Sequence, residues 1–199
     1  MNPPRTAPEA ARSCLRATLQ PHPVARVPVP LSVEAEATVA PDGTLILRYR
    51  VAGEVERLRL PPPEPPAFRD GLWRHTCLEA FLMPAAGPAY VEYNFATSGC
   101  WAAWGFSAER VRDARTPARA PVLTVTRALA ALELVARVPA DTLPLPPGSV
   151  RLGLAAVLEC EDGSLSWWAV AHPSHRPDFH HPGAFVLNLD LPAHVEAGT

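Results

Sequence analysis

The sequence predicts an all-β fold, an antiparallel β-sandwich of about ten strands, and three observations carry that prediction. Short segments of alternating apolar and polar residues recur along the chain, separated by turn signals at regular spacing. Almost no segment shows the 3.6-residue apolar period of a surface helix. The chain also holds 25 prolines in 199 residues. Most of them fall between the alternating segments, where a missing N–H removes no ladder hydrogen bond.

Taken in order, residues 1–12 are rich in Pro and Ala and read as a disordered lead-in. Residues 14–20 form a first short strand. In residues 31–40, Val33, Ala35, Ala37 and Val39 alternate with Glu34, Glu36 and Thr38, so one face is buried and the other wet. Asp42-Gly43 is a strong hairpin signal because glycine reaches positive φ without strain. Its partner strand is 44–51, with Leu45, Leu47 and Tyr49 opposing Ile46, Arg48 and Arg50. Residues 55–60 read as a further short strand, closed by Pro61-Pro62-Pro63-Glu64-Pro65-Pro66, a stiff polyproline bridge between the sheets. Strands follow at 77–83, 90–96 and 101–106, then a single helical turn within 107–113. A long hairpin is expected from 121–127 and 129–138, and a proline-rich loop over 139–149. Strand 150–159 turns at Asp162-Gly163 into 165–171, and 184–191 closes the fold. No internal repeat and no βαβ unit is visible, which leaves a jelly-roll or immunoglobulin-like sandwich. One domain over 13–192, with 193–199 as a tail, fits this length.

Bulk composition narrows the function. Of the residues, 48% are apolar, enough for a full core, and the net charge is −2. That balance offers no electrostatic footprint for nucleic acid or an anionic membrane. All 18 basic residues are arginine, which together with the many prolines and alanines reads as the bias of a GC-rich genome. Cys14, Cys77, Cys100 and Cys160 form no CxxC pair and suggest neither a zinc ribbon nor a disulfide framework. No run approaches the roughly 20 apolar residues of a membrane helix, and the first 20 residues lack a signal-peptide core. A soluble, cytoplasmic chain with reduced thiols is the expectation.

Residues 165–185, LSWWAVAHPSHRPDFHHPGAF, concentrate the chemistry. They hold two of five tryptophans and four of seven histidines. Alternation puts Leu165, Trp167, Ala169 and Ala171 on one side, a wholly apolar set that reads as core. Ser166, Trp168, Val170 and His172 then share the other side, at the mouth of a loop with Asp178, His180 and His181. A second informative stretch is 90–96, where Tyr90, Glu92 and Asn94 share one face and Val91, Tyr93 and Phe95 the other.

Two segments resemble a known group. GLWRHTCLEAFLMPAAGPAYVEYNFATSGCWAAWGF (residues 71–106) looks like the central part of the DOMON and family 9 carbohydrate-binding-module group. In that group a Trp is followed six residues later by a Glu opening a strand, then a Tyr-x-x-Asn-Phe-like strand, Ser-Gly and Trp. DGSLSWWAVAHPSHRPDFHHPGAFVLNL (residues 162–189) is similar to the end of the same group, most of all its bacterial stand-alone, DOMON-like branch. Together they cover roughly a third of the chain. The resemblance implies a β-sandwich with a ligand site on the concave face of one sheet, where two tryptophans clamp a sugar beside a carboxylate. Carried across, the first clamp falls on Trp73 and the carboxylate on Glu79. The second falls on Trp168 or its neighbour Trp167, and the alternation above favours Trp168. Polar contacts fall on Tyr90, Glu92 and Asn94. The sugar binders place an arginine near that strand, where this chain has Glu92.

The leading expectation is therefore a non-catalytic domain that binds a small ligand, a carbohydrate, without a cofactor. Its site residues are Trp73, Glu79, Glu92, Asn94, Trp168 and His172. Sugar C–H faces stack on indoles, and carboxylates and amides serve hydroxyls. Trp101, Trp104 and Trp167 are assigned to structure. The alternative is a haem or divalent-metal site using His172, His175, His180 and His181, since imidazoles are ligands that zinc and iron accept. HPSH and DFHH match no strong metal spacing. A hydrolase reading is weaker: Ser166, His172 and Asp178 lack a nucleophile elbow, and a Glu79–Glu92 glycosidase pair depends on a separation that sequence does not give. Cys77 and Cys100 read as buried, inert thiols.

Overall fold

The computed structural model describes residues 14–114 and 119–192, so the expected lead-in and tail lie outside the described residues. Among the described residues there are twelve strands: β1 (Cys14–Pro21), β2 (Leu31–Val39), β3 (Leu45–Gly53), β4 (Cys77–Pro84), β5 (Tyr90–Ala96), β6 (Trp101–Ala108), β7 (Val111–Arg112), β8 (Val122–Ala128), β9 (Ala131–Val138), β10 (Gly148–Glu159), β11 (Leu165–Ala169) and β12 (Leu187–Leu191). Every pairing between them is antiparallel. The all-β sandwich expected from the sequence is what the chain forms.

One layer runs β8-β9-β3-β2-β1 and the other β7-β6-β5-β4-β10-β11. The strand β1 belongs to both: Cys14 to Leu19 pair with β2, and Gln20 and Pro21 pair with β11. The inward faces of the two layers share one core, in which Val33, Leu47, Tyr49 and Leu134 meet Leu78, Tyr93, Leu154 and Leu158. Tyr49 spans the layers, its hydroxyl donating to the Glu79 carbonyl at 2.7 Å. This bond satisfies a fully buried phenol and ties β4 to the opposite layer at the position of Glu79.

A second, smaller core lies on the other face of the β4-containing sheet. Phe81, Met83, Tyr90, Phe106, Ala155 and Ala169 are covered there by Ala184 and Phe185 from residues 170–186. This cover has an unusual attachment. One edge of β10 is taken by β4; on the other, β11 pairs with Ala155 to Glu159 and β12 with Gly148 to Leu152. The strands β11 and β12 are thus one interrupted ladder, and residues 170–186 are an excursion from its gap. Gly153 lies at that gap, where a Cβ would stand 2.6 Å from the Phe185 ring. The bare backbone is what lets the ring settle on the sheet.

Three expectations for local structure are corrected. Residues 55–60 are not a strand: Val55–Arg57 is a 3-10 turn, and only Leu58 bridges to Cys160. The ladder ends because Gly53 turns to φ +121, packed so closely on the Pro30 carbonyl that no side chain fits. Residues 107–113 are not helical. The strand β6 continues to Ala108, and Arg110 at φ 58 turns the chain back into β7. In addition, β11 stops at Ala169, two residues before the expected end.

Candidate ligand-binding cleft

Alternation along β4, β5, β6, β10 and β11 sends Glu79, Glu92, Phe106, Val157 and Trp167 to the outer face, the one that carries the smaller core. There they line a cleft of about 490 Å³. Its walls are loops: Trp73 from a 3-10 turn (Leu72–Arg74), Arg110 and Arg112 from the β6–β7 turn, and Pro177, Phe179 and His180 from residues 170–186. The volume falls in the range of small-molecule sites.

The turn that bears Trp73 is held at both ends. Before it, Gly71 takes φ 77 and donates its N–H to Asp70 Oδ1 at 2.7 Å. After it, His75 Nδ1 meets the buried Glu159 carboxylate at 2.7 Å, and Arg59 binds the other oxygen at 2.8 Å. The Thr76 hydroxyl donates to the Arg59 carbonyl and accepts from the Glu159 N–H, both at 3.1 Å. Trp73 therefore stands on a fixed base while remaining 47% exposed, with the Arg74 guanidinium 5.3 Å from its ring. A large exposed indole in a cleft wall is a surface for a flat ligand.

The floor is acidic and buried. Glu79 is 3% exposed and Glu92 4%. They sit diagonally on neighbouring strands, since Glu79 pairs with Asn94 and Glu92 is two residues away on the same face. Asn94 Nδ2 donates to Glu92 Oε1 at 2.5 Å, and the Cys77 thiol donates to Asn94 Oδ1 at 3.4 Å. Glu79 Oε1 is buried without any hydrogen-bond partner. Burial, reinforced by the Glu92 charge, pushes the Glu79 carboxyl well above the ordinary range. Burial also raises Glu92, against the opposing pull of Asn94, Arg112 and Arg110.

A hydrogen-bond relay shapes the opposite wall. The Arg110 N–H donates to the Tyr90 hydroxyl at 3.1 Å, and that hydroxyl lies 2.7 Å from His180 Nδ1. The direction of that second bond follows the His180 tautomer: with the ring proton on Nε2, the Tyr90 hydroxyl donates to Nδ1. That Nε2 faces Glu92 Oε2 at 3.7 Å. Burial, with Arg110 adding to it, lowers His180 to about 4, so its imidazole is neutral near pH 7. Asp178 Oδ1 anchors the loop by accepting from Arg110 at 2.7 Å and from the His180 N–H at 3.0 Å. Arg112 lies 3.9 Å over the Trp104 ring and 3.8 Å from Asp70.

Of the six residues expected in a site, the structure brings Trp73, Glu79 and Glu92 to the cleft and puts Asn94 directly behind Glu92. Trp168 is a correction. It is 3% exposed and packs in the main core, its Nε1–H donating to Ser166 Oγ at 2.9 Å. What surface it retains borders a separate shallow groove along β1 and residues 27–32. Trp167, assigned to the core from sequence, is the indole that lines the cleft. His172 is also displaced: its Nε2–H donates to the Gln20 carbonyl at 2.8 Å, and its ring meets His22 edge-on at 4.8 Å.

Three of the four histidines of the metal alternative have separate jobs. His172 ties the loop to β1, His180 stands in the relay, His181 Nδ1 accepts from the Gly183 N–H at 3.0 Å, and His175 is exposed. Among the described residues, no group of three or more His, Cys, Asp or Glu could hold a metal ion. Sequence reasoning missed Arg110, Arg112 and Phe179. A visible signal for the arginines was their two-residue spacing, which in a strand or tight return sends both side chains one way.

Raised carboxyl pKa values make stability depend on pH with a definite sign. A carboxyl that holds its proton more tightly when folded contributes stability that is complete below the ordinary carboxyl range. That contribution is lost as pH rises through the folded value. Glu79→Gln keeps the shape and removes the titration. The advantage in Tm of Glu79→Gln over wild type is therefore expected to grow as pH rises from the ordinary carboxyl range upward, each 1 kcal/mol appearing as roughly 2–4 °C. His180 is common to both proteins and cancels. Thermal melts across that range check it; a pH-independent difference would contradict the buried-acid account.

An open, antiparallel β-sandwich is the fold that solved structures share with this chain. No family model matches the chain, and no curated protein matches it. A candidate carbohydrate-binding protein from Bacteroides uniformis is similar, with a TM-score of 0.60 at 16% identity, covering 87% of this chain and 86% of that one. A family 9 carbohydrate-binding module from Caldicellulosiruptor kristjanssonii is similar in its complex with cellotriose, with a TM-score of 0.57 at 8% identity over 92% and 86% of the two chains. Its complex with glucose gives 0.56 at 8% identity, over 92% and 88%. Identities this low show the common fold.

Proposed function

We propose that this chain is a non-catalytic carbohydrate-binding domain whose ligand stacks on Trp73 and Trp167 above Glu79 and Glu92. The observation that carries the reading is the unpartnered, buried Glu79 Oε1 in a cleft lined by two indoles. A buried carboxyl oxygen without a partner costs on the order of 1–3 kcal/mol, and a ligand hydroxyl or ammonium would recover it. The solved family 9 modules of the same fold were captured with glucose and cellotriose, which supports a sugar as the ligand class. The DOMON-like resemblance read from residues 71–106 and 162–189 points the same way.

Titrating intrinsic tryptophan fluorescence with a panel of mono- and disaccharides tests this. Trp73→Ala and Trp167→Ala are each expected to weaken binding roughly 30-fold or more, about 2 kcal/mol, with small effects on Tm. No response to any sugar, or equal affinity in both variants, would sink the reading.

A further inference from the structure

We propose that the cleft selects a ligand carrying a protonated amine beside its stacked ring, preferring an amino sugar to the corresponding neutral sugar. The ammonium would sit against Glu79 and Glu92. This rests on the carbohydrate reading and names the chemical class within it.

The argument begins with the free acceptors. Glu79 Oε1 has no partner. Glu92 Oε1 is taken by Asn94, and for Oε2 the facing group is His180 Nε2 at 3.7 Å, beyond hydrogen-bond length. Two carboxyl oxygens on neighbouring strands therefore await donors. A hydroxyl supplies one hydrogen, whereas an ammonium supplies three from a single atom. An ammonium can serve more than one acceptor and also carries the counter-charge that a buried carboxylate lacks.

The cations already present do not fill this role. The Arg110 guanidinium is bound to Asp178 at 2.7 Å. Arg112 is stacked on Trp104 and lies 3.8 Å from Asp70. Each guanidinium thus has its own carboxylate on the wall; both lower the Glu92 carboxyl from there, but neither is paired with Glu79 or Glu92. The other titratable neighbours are the Cys77 thiol and the Tyr49 and Tyr90 phenols, all raised by burial, His180, lowered by it, and Asp70, whose charge adds to the acidic side. Burial makes both carboxyls hold a proton more tightly than ordinary ones do. An incoming ammonium replaces that proton, which leaves to solvent, and no bond other than that O–H is broken.

Calorimetry on the full chain tests this with D-glucosamine against D-glucose and D-galactosamine against D-galactose, at a pH where the amines are protonated. N-acetyl-D-glucosamine and D-glucuronate serve as controls. The expected result is that the ammonium member of at least one pair binds tenfold or more tightly than its hydroxyl partner. N-acetylation should remove the gain, and repeating the titration in buffers of different ionisation enthalpy should show proton release for the amine alone. Glu79→Gln should reduce the preference to about threefold or less, and Glu92→Gln provides the same reading if the first variant folds poorly. Neutral sugars binding as tightly as their amino partners, or glucuronate binding best, would overturn this inference while leaving the carbohydrate reading intact. Binding of no sugar at all would remove both.

Discussion

Trp168→Ala is expected to lower stability by about 3–5 kcal/mol, the largest loss of any tryptophan substitution outside the strand centres of the core. The indole is 3% exposed among Leu158, Ala156 and the core residues of the opposite layer, so truncation removes buried area and leaves a cavity. It also removes the Trp168 Nε1 donor, 2.9 Å from Ser166 Oγ, and leaves that hydroxyl with only its 3.4 Å bond to the Leu158 carbonyl. Chemical denaturation measures the effect. The adjacent Trp167→Ala supplies the internal control, because its ring lines the cleft and its loss should appear in ligand affinity instead. Two neighbouring residues with exchanged phenotypes, Trp168 binding ligand and Trp167 holding the fold, would show that β11 presents the opposite faces.

Phe185→Ala is the second large effect. The ring is 2% exposed, stacks on Phe81 at 5.6 Å and 15°, and rests on the bare backbone of Gly153. Its removal is expected to cost about 3–5 kcal/mol if the cavity stays open, less if residues 170–186 collapse into it. Phe185 does not line the cleft, yet the segment it pins carries Phe179 and His180, which do. Ligand affinity should therefore fall along with stability. A variant with lowered Tm and unchanged affinity would show that the loop holds its cleft-lining residues without this anchor.

The sequence was most legible where a sheet face differs in character from its reverse. In β5, Glu92 and Asn94 alternate with Val91, Tyr93 and Phe95, and alternation placed both sets correctly relative to each other. In β11 the same rule separated the two faces but did not tell inside from outside, because both are largely apolar and the outer one is only partly exposed. The inner face packs against the opposite layer, and the outer face is sheltered by residues 170–186. An apolar set of Leu165, Trp167 and Ala169 then looked like the core, while the inner Ser166 looked exposed; its hydroxyl is satisfied within the core by the very indole it accompanies. Residues 55–60 misled for another reason. Their alternation is genuine, but Gly53 at φ +121 ends the ladder before they begin. The histidines were visible as a cluster in sequence, yet the loop gives three of them separate tasks and leaves His175 exposed. Distances between segments far apart in the chain, such as Arg110 to Asp178, are set by topology and left no local trace.

The interrupted ladder on β10 has a consequence for how such a protein diversifies. Because β11 and β12 rejoin the same edge in line, the excursion between them can gain or lose residues while every sheet pairing survives. Loop length is thermodynamically cheap, each doubling costing only about 0.6 kcal/mol. The framework and the recognition surface are therefore separable in inheritance. Mutation can remodel one side of the cleft and leave the acidic floor and the Trp73 wall untouched, so descendants can change ligands without first having to refound their fold.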